Sequence, residues 1–201
     1  MLFRSDTDPD FLKSYESLAR LYLSRKDPDK AVSQYKTILK KNPDLASPHM
    51  MLGTIYEMKE KYDTAAGHYR KALENNPDFA PAANNLAYYL ADRTENYDEA
   101  LQYARKAKAL LPEDPGVMDT LGLAFYKKEL YGNAAGQFLD SLKEMPEHPT
   151  VNYHLGLTYH KQGKVQQAKK FLSKALELSD SFDGADKARK ILDQLEKDQT
   201  Q

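Results

Sequence analysis

Proline keeps a beat along this chain. Pro9, Pro43, Pro77, Pro112 and Pro146 are separated by 34, 34, 35 and 34 residues. A step of that size marks an array of repeats, in which one supersecondary unit recurs and each copy buries its apolar face against its neighbours. A single central core is therefore not expected. The stretch 46–77 serves as the ruler, because Leu52-Gly53, Tyr56, Ala65, Tyr69, Ala72 and Pro77 have counterparts at corresponding places up and down the sequence.

Between successive prolines the pattern predicts two amphipathic helices. In the first block Tyr15, Leu18, Ala19 and Tyr22 form one stripe at i, i+3, i+4, i+7, and Ala31, Tyr35 and Ile38 form another after Lys26-Asp27-Pro28. Asn42-Pro43-Asp44 then ends the second helix, since proline lacks a donor and restricts the residue before it. The later blocks repeat the scheme with His49, Leu52, Gly53, Tyr56 and Ala65, Tyr69, Ala72, and with Ala83, Leu86, Ala87, Leu90 and Ala100, Ala104, Ala107. Met118, Leu121, Gly122, Phe125 and Ala134, Phe138, Ser141 follow, then Asn152, Leu155, Gly156, Tyr159 and Ala168, Leu172, Ala175. Gly53, Gly122 and Gly156 fall in mid-helix, where glycine costs about 0.5–1 kcal/mol relative to alanine. The equivalent places hold Ala19 and Ala87, so close helix–helix approach is the expected reason for the small residues.

These five blocks, with aligned turn residues Tyr62, Tyr97 and Tyr131, resemble the tetratricopeptide-repeat (TPR) family. The resemblance implies an all-α fold: a right-handed α-α superhelix of five helix-turn-helix repeats in a single array, at about 12–45, 46–79, 80–114, 115–148 and 149–180. The third block carries one extra residue within Asp92-Arg93-Thr94-Glu95-Asn96, a polar turn. After residue 180 the proline beat stops, and Phe182, Ala185, Ala188, Leu192 and Leu195 form one more stripe. That stripe is expected to be a capping helix over about 182–197, with a frayed tail beyond. Pro9 keeps the beat without a helix before it, so residues 1–8 are expected to be a boundary cut from a longer chain or a start left by processing.

Composition narrows the function. The chain is 41% hydrophobic and 29% charged with formal net charge −1, which gives no support for binding nucleic acid or an anionic membrane non-specifically. Basic residues outnumber acidic ones in 12–45, and the reverse holds in 46–145, a mild polarity only. The absence of cysteine excludes disulfides, thiolate metal sites and cysteine nucleophiles. No signal-like apolar segment opens the sequence and no apolar run is long enough to insert in a bilayer, so a soluble protein of cytoplasm or periplasm is expected. Histidines 49, 68, 148, 154 and 160 lack the i, i+4 spacing of a helical metal pair. Phosphate loops, dinucleotide glycine motifs and nucleophile elbows are missing as well. The expectation is a protein that is not an enzyme and takes no cofactor or metal.

Recognition is what remains. In TPR proteins the first helix of each repeat lines a concave groove, and residue-by-residue carry-over implies a peptide-binding face here. It begins with Lys13, Glu16, Ser17 and Arg20, then Ser47, Met50, Met51 and Thr54, then Asn84, Asn85 and Tyr88. Asp119, Thr120, Leu123 and Tyr126 continue it, and Tyr153, His154 and Leu157 complete it. The carboxylate clamp of chaperone-binding members is not matched, because its places hold Glu16, Arg20, Met51, Pro81 and Asn85. The asparagine ladder of sugar-transferase-type members keeps one rung, Asn85, among Ser17, Met51, Thr120 and His154. Met50, Met51, Tyr88, Tyr126 and Tyr153 suit an adaptable contact surface, and equally suit a core. The expected partner is a protein segment, extended or helical, held by Met50, Met51, Asn84, Asn85, Tyr88, Asp119, Thr120, Leu123, Tyr126, Tyr153 and His154. The alternative is a self-associating assembly protein and hence a homo-oligomer. Asn84-Asn85-Leu86-Ala87-Tyr88-Tyr89-Leu90-Ala91, Asp98-Glu99-Ala100-Leu101 and Asp119-Thr120-Leu121-Gly122 resemble bacterial TPR proteins of envelope, exopolysaccharide or pilus systems.

Overall fold

Pro28, Pro115 and Pro149 each open a helix, a place where the missing N–H costs nothing and the fixed φ is already helical. Asp27 and Asp114 cap two of these helices by accepting from the backbone N–H of Lys30 and Val117, and His148 Nδ1 accepts from Val151. Of the prolines of the beat, Pro43, Pro77, Pro112 and Pro146 sit between helices just past a helix end, whereas Pro9 is the first residue of a helix. The computed structural model describes residues 9–197, and the expectations for residues 1–8 and for the tail after 197 lie outside the described residues. Among the described residues there are eleven α-helices and no strand.

They are α1 (Pro9–Ser24), α2 (Pro28–Lys41), α3 (Ala46–Met58), α4 (Tyr62–Asn75), α5 (Ala80–Arg93) and α6 (Tyr97–Leu110). The chain continues with α7 (Pro115–Lys127), α8 (Tyr131–Glu144), α9 (Pro149–Lys161), α10 (Val165–Leu178) and α11 (Ala185–Lys197). The all-α fold of five helix pairs and a C-terminal capping helix is the expected one. Contacts gather the chain into two compact units, Met1–Leu86 and Ala87–Gln201, dividing within α5.

In the first unit α1 packs on α2, α2 on α3 and α3 on α4. Its core joins Ala19, Ala31, Tyr35, Ile38, Leu52 and Ile55, all buried. In the second unit α6 packs on α7, α7 on α8, α8 on α9, α9 on α10 and α10 on α11. The mid-helix glycines behave as the sequence implies. A Cβ on Gly53 would lie 2.3 Å from the Tyr69 ring, and one on Gly122 would lie 2.6 Å from the Phe138 ring. A Cβ on Gly156 would meet Leu172 Cγ at 2.7 Å and the Leu172 backbone nitrogen at 3.0 Å. Each large residue of the second helix thus fills the gap left by the small residue of the first.

The tight turns inside four hairpins each use one left-handed residue: Lys26, Glu60, Glu129 and Gly163, with φ between 56° and 72°. Only the last is the glycine such a position favours. Turn carbonyls are also satisfied from the helix that follows. His49 Nε2 lies 3.2 Å from the Pro43 carbonyl, and Asn152 Nδ2 donates to the Pro146 and His148 carbonyls at 3.3 and 2.9 Å. His49 and Asn152 occupy the same register, so this stripe position contributes hydrogen bonding as well as packing.

Candidate functional site

The register of the implied face places two residues immediately before the small-residue leucine of each first helix. In the first unit these are Met50 and Met51 on α3 and Asn84 and Asn85 on α5, all half-buried. Met51 leans on the core of that unit, and Met50 accepts weakly from the Thr54 hydroxyl. Asn84 Nδ2 reaches Asn85 Oδ1 at 3.5 Å, while Asn84 Oδ1 is buried with no hydrogen-bond partner. Asn85 joins Thr54 beside the Tyr69 hydroxyl, which itself donates to Glu57 Oε2 at 2.7 Å. Burial, with the Glu57 carboxylate second, pushes the Tyr69 hydroxyl well above its ordinary range, so it remains a donor at any ordinary pH.

The first unit also holds a cluster that the sequence reading did not assemble. His49 Nδ1 and His68 Nδ1 lie 3.1 Å apart, and the Tyr56 ring stacks on His68 at 5.4 Å and 8°. The Pro43 carbonyl can only accept, so His49 Nε2 carries the proton and His49 Nδ1 accepts from His68 Nδ1–H. Burial is the main cause that lowers His68 to about 4 and lowers His49 as well. Both rings are neutral near pH 7. A spacing test along one helix could not find this pair, because it forms across the α3–α4 hairpin.

In the second unit the implied residues converge from three helices. Tyr88 on α5, Asp119, Leu123 and Tyr126 on α7, and Tyr153 and His154 on α9 share one face. Asp119 Oδ1 lies 2.8 Å from His154 Nδ1, an ion pair or neutral hydrogen bond according to the imidazole's state. Tyr126, Leu123, Tyr153 and His154, with Asp92 and Lys187, line a cavity of about 120 Å3. Burial pushes the hydroxyls of Tyr88, Tyr126 and Tyr153 up to about 12, and the carboxylates of Asp92, Asp119 and Asp183 add to this at Tyr88. Three phenols that stay protonated can donate on this face.

The residues differ in what remains open. Tyr88, Asp119 and Tyr126 are half-buried, whereas Tyr153 and His154 are only 7% and 9% exposed. Thr120 and Leu123 are buried, and the Thr120 hydroxyl donates to the Gly116 carbonyl of its own helix. Tyr153 is covered by the segment that leads into α11, with the Phe182 ring 5.4 Å away and Gly184 against its edge. Asp92, Phe182, Asp183 and Lys187 were outside the expected site, since nothing in their spacing links them to it. Among the described residues no three histidine or carboxylate groups gather as a metal site, and no helix is long and apolar enough to cross a membrane. The face offers apolar walls, phenol donors and carboxylates, which is equipment for holding a side chain or a backbone.

Comparison with known proteins matches this architecture. Family models described as tetratricopeptide repeat match residues 16–78, 50–115 and 149–182. A TPR repeat-containing protein of Pseudomonas aeruginosa is 39% identical over 77 residues, or 38% of this chain and 13% of that relative. The chain therefore spans only a small part of that relative's length. PilW, described as a widely conserved type IV pilus biogenesis factor, is similar with a TM-score of 0.75 at 24% identity, covering 87% of this chain and 80% of that one. YrrB, described as a TPR protein with an unusual peptide-binding site, gives a TM-score of 0.68 at 24% identity, covering 88% of this chain and 90% of that one. At such identities these structures speak for the fold.

Proposed function

Because the chain belongs to the tetratricopeptide-repeat family, we propose that it is a non-catalytic interaction scaffold that holds a segment of a partner protein on the α5–α7–α9 face of its second unit. The observation that carries this reading is the cavity of about 120 Å3 lined by Tyr126 and Leu123 together with Asp92 and Lys187. The space is well below the roughly 300–1,000 Å3 of typical small-molecule sites, a size that suits a single side chain. Around it Tyr88 and Tyr126 supply large, rigid contact area with a donor at the tip. The description of YrrB as having a peptide-binding site supports the class of ligand. Met50, Met51, Asn84 and Asn85 are proposed as a separate contact face of the first unit. There the partnerless Asn84 Oδ1 is an acceptor for a donor that rotation of the amide would bring within reach.

The test is capture of a partner from the source cell, followed by calorimetric titration of that partner with the wild type and with Tyr88→Ala. Loss of affinity by about tenfold or more, with an unchanged circular dichroism spectrum, is expected. An unchanged affinity for every captured partner would remove the α5–α7–α9 face from the account. A second reading, assembly of copies within a pilus or envelope system, draws on the likeness to a pilus biogenesis factor. Light scattering across a concentration series separates the two, since only self-association raises the mass of the protein alone.

A further inference from the structure

A terminal helix in a stacked array has one neighbour to cover, because each repeat touches only the next. α11 meets that requirement by packing on α10 and α9 through Ala188, Ile191 and Leu195. The segment that leads into it goes further. Asp183 Oδ2 lies 3.9 Å from Arg93 Nη2 at the end of α5, and Lys187 shares the cavity with Asp92, Leu123 and Tyr126. The segment just after α10 therefore reaches α5, two hairpins back, while Lys187 in the first turn of α11 reaches the cavity that α7 lines. Covering the end of the stack does not require that reach.

The segment sits on the face as a ligand would. The Phe182 ring packs at 5.4 Å and 56° to Tyr153, the geometry of a tilted aromatic pair. Gly184, with φ +102°, comes so near that a Cβ there would stand 2.4 Å from the same ring. No side chain fits at that approach, so glycine is what lets the backbone lie on the face. The anchoring is slight by comparison with α11 itself. Asp183 is 86% exposed, and Arg93 also pairs with Asp92 at 2.8 Å, so the outer ion pair holds little. α11 is tied by its own buried residues and by Arg189 to the Asp180 carbonyl at 2.8 Å, and the Phe182 and Gly184 carbonyls join the segment to its first turn by accepting from Ala185 and Ala188 N–H at 3.1 and 2.9 Å.

Resting on the functional reading above, we propose that Ser-Phe-Asp-Gly at 181–184 is a built-in, displaceable occupant of the α5–α7–α9 face. The partner segment that replaces it presents the same chemistry, an aromatic side chain followed by a carboxylate. The strap keeps the face covered, and an incoming segment competes for Tyr153 and Arg93.

The probe is a fluorescent synthetic peptide copying residues 178–187, titrated by anisotropy into the full chain. The double variant Phe182→Ala with Asp183→Asn is expected to bind it at least tenfold more tightly than the wild type, in which the strap competes. A peptide with the same two replacements is expected not to bind. Equal affinity of wild type and variant for the copied peptide, or no binding by the variant, overturns the proposal. Native-state hydrogen exchange gives a second readout that needs no ligand. Amides at 182–184 are expected to exchange at least tenfold faster than those of Leu155–Tyr159, and equal protection overturns the strap. The two proposals fail separately. A partner whose binding falls with Tyr88→Ala but is unaffected by the strap variant ends the strap and leaves the scaffold reading. A copied peptide that binds the strap variant, beside partners indifferent to Tyr88→Ala, does the reverse.

Discussion

Helices α3 and α9 occupy the same register in their hairpins and end up with different surfaces. Each has a mid-helix glycine pressed on a bulky residue of the next helix, Gly53 on Tyr69 and Gly156 on Leu172. In each, a polar residue four positions earlier satisfies a proline carbonyl, His49 in one and Asn152 in the other. Yet the two residues preceding the leucine that recurs in each repeat are half-buried on α3, as Met50 and Met51, and buried on α9, as Tyr153 and His154. The difference arises outside the repeat, from the segment at 182–184 and from Asp119 of the neighbouring hairpin. Register thus decides which side chains share a face, while chain from elsewhere decides which of them solvent or a partner can reach.

The largest effect is expected at the glycines. Gly156→Ala gains helix propensity of about 1 kcal/mol but drives a methyl into Leu172, including its backbone nitrogen, so a net loss of about 2 kcal/mol is expected in urea unfolding. The nearest atoms to a Cβ at Gly53 all belong to the Tyr69 ring, with no backbone among them, so Gly53→Ala is expected to lose less. Equal losses would mean that the two hairpins are packed alike.

The histidine pair sharpens the contrast, since α3 has it and α9 does not. His68 is held at about 4 and His49 is also lowered, so the unfolded chain binds more protons than the folded one. Their contribution is fully present above the unfolded value of about 6.5 and fades as pH falls toward 4. His68→Phe keeps a ring against Tyr56 and cannot be protonated. Between pH 6.5 and 5 the wild type is expected to lose about 1.5 kcal/mol more than this variant in denaturant melts. Parallel curves would show that the pair does not titrate as placed.

A smaller effect is expected at the turns. Glu129→Gly relieves a left-handed residue at φ 59° and should stabilise by about 0.5–1 kcal/mol, whereas Gly163 already has the favoured residue. The change is read as a higher urea midpoint with unchanged slope.

The hairpins could be read from the sequence because their constraint is local and repeated. A 3.6-residue stripe with glycine or alanine at one fixed place has few explanations other than two helices in close contact. The left-handed turns were hidden because three of the four are Lys or Glu, residues that carry no turn signal. His49 and His68 could not be paired from spacing, since they lie on opposite helices of a hairpin. The candidate face was legible through family register, which brought Tyr88, Asp119, Tyr126 and Tyr153 to one side of the second unit. Its cover was not legible. Phe182 reads as one more member of the α11 stripe, and its contact with Tyr153 depends on the backbone approach at Gly184.

Tyr153 shares the register of the face and is covered by residues 182–184. Hydroxyl-radical footprinting read by mass spectrometry measures this directly. In the wild type Tyr88 is expected to be oxidised and Tyr153 protected, and Phe182→Ala with Asp183→Asn is expected to raise Tyr153 oxidation toward the level of Tyr88 with the urea midpoint preserved. Oxidation of Tyr153 equal to that of Tyr88 in the wild type, or continued protection in the variant, would contradict the account.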